Sequence, residues 1–189
     1  MFIIPWQEAM AANATSRLQI RTATERDLDR LVEYFRTLSR SSRYNRFMEL
    51  DSNFANFAFQ RVVQSRGADR FILIAEVQQQ GRGAIIGEAS YAVESETGRG
   101  QFALSVGHAW HGRGVGSALL SALQSRAISL GNCGLFGDTF KTNEPMKALA
   151  RKAGFAFAGS DDWRAIRFEK QLLQQRCAWQ RQNETALSI

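Results

Sequence analysis

Two patterns of apolar residues divide most of this chain into predicted elements. Alternating or continuous apolar positions predict strands over 18–22, 71–77, 84–93, 101–106, 135–139, 155–158 and 165–168. Apolar residues three or four apart predict helices after Thr24, over 54–62, after 112–116 and after Asn143. The last three of these helices are predicted to end at glycines, namely Gly67, Gly131 and Gly154.

The order of these elements predicts an α/β fold. It reads β-α-α-β-β-β-α-β-α-β-β, with a mixed and mostly antiparallel sheet flanked by helices. The polar and basic stretch 39–50 is predicted to be a loop or short turn. Residues 17–170 are predicted to form one domain, after an N-terminal tail over 1–16 and before a C-terminal helix or tail over 171–189.

Composition is that of a globular protein, with 44% apolar and 22% charged residues. The net charge of +6 fits a solvated basic surface, a face for an anionic cofactor, or a nucleic-acid surface. Since the arginines are scattered and form no dense run, nucleic acid is the least favoured of the three.

The cysteines and the apolar runs bear on compartment and metal content. Cys133 and Cys177 form no CxxC pair, so no zinc pattern can be built and no metal is expected. Both are interpreted as reduced, which favours a cytoplasmic location. No apolar run is long enough for a transmembrane helix, so no membrane partner is expected.

The strongest chemical signal is a glycine-rich segment that joins a predicted strand to a predicted helix, His111–Ser117. The first amide groups of a helix have no internal partner and attract anions such as a pyrophosphate. Gly112, Gly114 and Gly116 would allow close approach, and Arg113 would add charge from the rim.

Three interpretations of this segment compete. A P-loop is excluded because no Lys follows Gly116. A dinucleotide fingerprint is met in part, with Ser117 at its third glycine place and Asp138 at about the right distance, but a strand meander precedes it. A plain strand–helix connection without a ligand is also open.

A further interpretation rests on a resemblance to a known family. Residues 111–116, His-Gly-Arg-Gly-Val-Gly, resemble the acyl-CoA motif of the GNAT acetyltransferase superfamily, with His in place of Arg or Gln. Residues 143–155, from Asn143 to Gly-Phe, are similar to the next motif of that family. The stretch 38–47 is similar to one in bacterial Pat-type protein lysine acetyltransferases, although a basic loop anchored by Tyr44 and Phe47 explains it equally well.

The resemblance implies a binding site for acetyl-CoA and direct attack by an amine on the thioester. Pantetheine would bond to the backbone of Leu104, Ser105 and Val106, and Asn143 would reach the pantetheine or cap its helix. The remaining cofactor-binding residues implied are those of the loop and helix start: His111, Gly112, Arg113, Gly114, Val115, Gly116 and Ser117. Val106 N–H is the implied donor to the oxyanion.

The catalytic groups depart from the family pattern. Gln101 stands where Pat-type domains carry Glu, and Ala150 stands where the family carries a Tyr acid. Glu88 and His108 are the candidate bases, and His111 is a further one, although Glu88 is also interpreted as a solvated strand residue.

The predicted function is therefore N-acetyl transfer to a small amine or a protein lysine. The alternatives are an acyl-CoA-binding module with weak or no catalysis and a basic nucleic-acid-binding protein. A homodimer is a possible assembly.

Overall fold

A computed structural model describes residues 18–47, 53–63, 69–79, 82–160 and 162–172 of the chain. The predicted tail over 1–16, the helix end at Gly67, and the C-terminal segment from residue 173 onward lie outside the described residues. Residues 81–83, between the predicted strands 71–77 and 84–93, are described only from Arg82, which already belongs to a strand.

Seven strands form one sheet, as the sequence predicted for a mixed, mostly antiparallel α/β fold. The strands are β1 (Gln19–Thr22), β2 (Arg70–Gln79), β3 (Arg82–Val93), β4 (Gly100–Val106), β5 (Gly134–Phe140), β6 (Ala156–Ala158) and β7 (Ala165–Gln171). Their order across the sheet is β1-β2-β3-β4-β5-β7-β6. Every neighbouring pair is antiparallel except β4 and β5, which are parallel.

Helices cover both faces of this sheet. They are α1 (Leu28–Thr37), α2 (Arg40–Phe47), α3 (Phe54–Val63), α4 (Val115–Ser129) and α5 (Glu144–Lys152), with short 3-10 turns at Glu25–Asp27 and His108–Trp110. One core joins α1 and α3 to β2 through Phe35, Ala58 and Ile72. The other core joins α4 and α5 to the opposite face, which Leu119 and Ala150 contact. The split of the core into two layers follows from the alternation of side chains along β2.

Helix α2 occupies most of the stretch that the sequence predicted as a loop or short turn. Its amide start is capped, because Ser39 Oγ accepts a hydrogen bond from Ser42 N–H at 3.1 Å. Its anchors are Tyr44, which stacks on Phe140 with ring centroids 4.6 Å apart, and Arg46, which is buried. The prediction was wrong because these contacts are tertiary and leave no apolar periodicity in the sequence.

Cys133 also departs from its prediction in part. It is buried, as expected for a small residue beside the core. The structure holds Cys133 in a disulfide bond, so its interpretation as a reduced cysteine is wrong and the predicted location loses that support. Within the described ranges, no helix is long and apolar enough to cross a lipid bilayer.

A network of ion pairs ties the start of α1 to β1 and β2. Asp27 accepts hydrogen bonds from Arg21 and Arg30, each at 2.7 Å, and its carboxylate also accepts from Thr24 N–H. The bond from Arg21 is the main reason that the pKa of Asp27 lies well below its usual range. Burial opposes ionisation of Glu76, but hydrogen bonds from the same two arginines outweigh it and lower that pKa as well.

These lowered pKa values predict that the free energy of unfolding decreases at acidic pH. A carboxylate whose pKa is lower in the folded state stabilises the fold above its unfolded pKa of about 4, and the stabilisation is lost as the pH falls below that value. Asp27→Asn should lower the free energy of unfolding at pH 7 by about 2 kcal/mol. It should also flatten the pH dependence below about pH 4, measured by urea unfolding at pH 7 and pH 3.

The matched control is Asp29→Asn, since Asp29 is exposed on the same helix. It should stay within about 0.5 kcal/mol of wild type at both pH values. An Asp27→Asn variant with the wild-type pH dependence would show that the network does not govern acid stability.

Candidate active site

The site forms where the two parallel strands separate. Strands β4 and β5 pair only at Gly100 with Leu135 and at Gln101 with Phe136, after which they diverge. The opening leads into a cleft of about 1370 Å³ between the sheet and its flanking helices. Residues from β4, β5, α2, α3, α4 and α5 line it. A split of this kind leaves backbone groups on the facing strand edges free to bind a ligand.

The glycine-rich segment closes one end of this cleft. Gly112 has φ of 71° and Gly114 has φ of 82°, and Gly114 is the residue before the first turn of α4. A non-glycine residue is rarely found in that conformation. Ala118 N–H bonds to Gly114 O at 3.0 Å, the first bond of the helix ladder. The amides that precede Ala118 therefore form the N-terminal anion-binding end of a helix.

The glycines serve two different purposes. A Cβ added at Gly112 or Gly114 would meet no atom within 4 Å, so both face open space. A Cβ at Gly116 would lie 3.3 Å from Leu149 Cδ2 and 3.7 Å from Val106 Cγ2. Gly116 thus lets α4 pack against α5 and β4, whereas Gly112 and Gly114 shape the loop itself.

The structure brings most of the predicted cofactor-binding residues into this one cleft. Those that line it are Leu104, Ser105, Val106, His111, Gly112, Gly114, Val115, Gly116, Ser117 and Asn143. Arg113 does not line it, and its guanidinium lies 5.3 Å from the centre of the Trp110 ring. Arg113 is exposed at the rim, as its predicted role requires.

The three residues of β4 that are predicted to hold pantetheine do not all direct their backbone groups to the same side. Gly107 N–H donates to Ile86 O on β3 at 2.8 Å. Because successive residues of a strand direct their amides to opposite sides, Val106 and Leu104 N–H point toward the cleft. Ser105 directs its backbone to β3, and its buried hydroxyl is hydrogen-bonded to Glu88 and Tyr34.

His111 and Asn143 both have structural partners. His111 Nε2 lies 2.9 Å from Val106 O and ties the loop to the end of β4. Asn143 Oδ1 accepts a bond from Met146 N–H at 3.3 Å, and its amide donates to Thr139 Oγ1 at 3.0 Å. Asn143 therefore caps α5, and because it also lines the cleft, its contact with the pantetheine arm stays a prediction.

Glu88 is buried, which contradicts its interpretation as a solvated residue. Its side chain has no exposed surface, and Arg46 donates to its two oxygens at 2.6 and 3.0 Å. Ser105 Oγ donates to it at 2.7 Å, and Arg46 also donates to Ser90 Oγ. His108, in contrast, is exposed and lines the cleft beside the glycine loop. Of the three candidate bases, His108 and His111 line the cleft and Glu88 does not.

Several cleft residues had no role in the sequence prediction. Helices α2 and α3 contribute amide and hydroxyl side chains, namely Ser41, Ser42, Asn45, Asn56 and Gln60. Asp138 had been considered only for a dinucleotide ribose, and it instead pairs with Arg167 on β7 with both bonds at 3.0 Å. Ala150, at the place of the missing Tyr acid, lies in the core. The sequence carried one sign that Glu88 and Asp138 have special surroundings: each is an acidic residue within an apolar strand.

The chain is an α/β protein in which a parallel strand pair opens in front of a glycine-rich helix start, an arrangement that could accommodate a phosphate-bearing ligand. Residues 17–156 match the family model described as an acetyltransferase (GNAT) domain. The match covers more than half of the sequence, and the chain belongs to the GNAT acetyltransferase family.

Solved structures share the fold. The GNAT domain of Streptomyces lividans PAT aligns with a TM-score of 0.73 and 24% identity over 82% of this chain and 90% of that one. The ribosomal-protein-S5-alanine acetyltransferase of Vibrio fischeri aligns with a TM-score of 0.69 and 16% identity over 86% and 99%. The Salmonella typhimurium protein yncA, solved with its cofactor acetyl-CoA, aligns with a TM-score of 0.61 and 20% identity over 85% and 96%.

The buried pair of Arg46 and Glu88 yields a stability prediction. Removing one partner leaves the other charge buried without compensation, so Arg46→Met or Glu88→Met should each cost about 3 kcal/mol. Replacing both charges removes that penalty, so the double variant R46M/E88M should cost less than either single variant. Urea unfolding of the four proteins measures this, and additive losses would contradict it.

Proposed function

We propose that the chain transfers an acetyl group from acetyl-CoA to a primary amine. The observation that carries the proposal is the opening between β4 and β5 in front of the α4 start. It joins free strand edges to an anion-binding helix end, which suits an elongated cofactor with a diphosphate. Membership of the GNAT family supports the same chemistry.

The cofactor would be held mainly by backbone groups. The amides of 112–117 face the diphosphate, and Arg113 adds positive charge at the rim. The pantetheine arm then runs along β4, where Leu104 and Val106 offer amides on the cleft side. Val106 N–H is the proposed donor to the oxyanion that forms when the amine attacks the thioester carbonyl.

The acceptor would enter from the side of α2 and α3. The uncharged amine nitrogen bonds to the acetyl carbon and the carbon–sulfur bond breaks. The nitrogen gives up one proton, and CoA takes up one proton and leaves as the thiol. Catalytic roles for His108 and Glu88 stay predictions. Both a protein lysine and a small amine stay candidate acceptors, because the stretch that resembles Pat-type domains forms part of this wall.

An acyl-CoA-binding module with weak or no catalysis is the second candidate. It is favoured by Gln101, which lines the cleft but cannot accept a proton at neutral pH, and by Ala150, which carries no proton donor. The two functions share the cofactor site and differ only in turnover.

The first experiment is calorimetric titration of the protein with acetyl-CoA and with free CoA, followed by a thiol-release screen over small amines and lysine peptides. Saturable binding with thiol release dependent on an amine supports the proposed enzyme. Binding without release for any amine supports the binding module. Absence of binding by the folded protein refutes both functions.

The glycine loop supplies a sharper test. Gly114→Gln and Gly114→Glu share the same strain from a positive φ and have side chains of nearly equal size, so their difference isolates the negative charge. We expect Gly114→Glu to weaken acetyl-CoA binding by about 100-fold or more relative to Gly114→Gln, through repulsion of the diphosphate. Equal affinity of the two folded variants for acetyl-CoA would contradict the proposal that this loop binds the diphosphate.

A further inference from the structure

Asp138 lies on β5 at the point where the strands separate. The last paired residues of the two parallel strands are Gln101 and Phe136, and Asp138 follows two positions later. Residues paired across a sheet share a face, and side chains two apart along a strand share it as well. Asp138 therefore projects from the same face as Gln101 and Ala103, on the side of the sheet that α2 covers.

Asp138 is the one carboxylate among the described residues that line the cleft. Its side chain is 17% exposed, so it is accessible without being a free surface group. Arg167, its direct partner across β5 and β7, holds both carboxylate oxygens at 3.0 Å. A carboxylate has about four acceptor positions, so this pairing leaves some for a further donor.

A primary amine reaches the cleft mostly as an ammonium ion, since alkylamines of the lysine type have a pKa of about 10. Such a cation has to exchange water for an anionic or hydrogen-bonding partner when it enters the cleft. Arg46 and the exposed Arg113 are cations, so neither can bind an ammonium ion. Asp138 can, and it lies level with the middle of β4, past which the proposed pantetheine arm runs.

We propose that Asp138 binds the ammonium group of the acceptor and holds it beside the split between β4 and β5. This inference rests on the proposed function, because it places the acceptor relative to the donor arm. It also accounts for product release: the acetylated product is a neutral amide, which no longer attracts the carboxylate. The acceptor class is therefore an amine that is cationic in its free state.

The test compares two ways of breaking the pair of Asp138 and Arg167. Asp138→Asn removes the anion, whereas Arg167→Met removes its partner and leaves the anion in place. If Asp138 binds the acceptor, Asp138→Asn raises the KM for the amine about tenfold or more, and Arg167→Met does not. The calorimetric affinity for acetyl-CoA should change less than about twofold in both variants.

Asp162→Asn is the matched control. Asp162 pairs with Arg164 in the same way, at 2.8 Å, but does not line the cleft. Its KM should equal that of wild type. Equal increases of KM in Asp138→Asn and Arg167→Met would assign Asp138 a purely structural role and overturn the proposal. An unchanged KM in Asp138→Asn would also overturn it.

A second measurement keeps the proposal testable if no amine is acetylated. Binding of n-butylammonium chloride to the CoA-loaded protein is followed by NMR at the amide of residue 138, with n-butanol as the neutral isostere. Saturable shifts with the ammonium alone, lost in Asp138→Asn and kept in Asp162→Asn, support the site. Equal responses to both probes, or none, overturn it whether or not the enzyme turns over.

Discussion

The limited pairing of β4 with β5 is the constraint on which the rest of the site depends. Each strand is fully paired on its other edge, with seven residue pairs between β3 and β4 and seven between β5 and β7. The sheet therefore consists of two continuously paired halves that are joined by only two residue pairs. The free strand edges carry amides and carbonyls that would be costly if they were buried without partners. A ligand threaded between the halves would satisfy them, as the proposed cofactor site requires.

The buried pair of Arg46 and Glu88 determines how this opening is covered on one side. Helix α2 is short and polar, so apolar burial alone would hold it weakly. Arg46 fixes it to β3 through a bidentate ion pair and lies near the rings of Phe47 and Phe57, at 5.3 and 5.2 Å from their centroids. On the other side, Tyr44 stacks on Phe140 at the end of β5. The helix is thus attached to both halves of the sheet, across the cleft that separates them. Ion pairs of this kind contribute more to position than to net stability.

The sequence was sufficient to predict the glycine-rich loop with its flanking strand and helix, and insufficient to predict how α2 and Asp138 are placed, for a physical reason. The loop depends on glycines, a helix start and a preceding strand, all within a dozen or so residues, so local patterns specify it. The order of the strands along the chain and the cap at Asn143 are local in the same sense.

The acceptor side depends on contacts between residues far apart in the chain. The position of α2 rests on a pair that links residue 46 to residue 88, and the environment of Asp138 on a partner 29 residues later. Neither contact produces a periodic pattern of apolar residues in the sequence. The burial of Glu88 could be inferred only by asking which cation would neutralise a carboxylate inside an apolar strand.

Arg167 has a further consequence for the chemistry at Asp138. An amine attacks a thioester only as the free base, yet a nearby carboxylate stabilises the ammonium form and raises the amine's pKa. A bare carboxylate would therefore bind the acceptor well and hold it in the unreactive state. Arg167, bonded to both oxygens of Asp138, reduces the negative field that the amine experiences. The pair thus keeps enough charge to attract the cation while it limits the cost of losing the proton to solvent. This compromise suits a cleft in which Gln101 replaces a carboxylate on β4 and the oxygens of Glu88 are already engaged by Arg46 and Ser105.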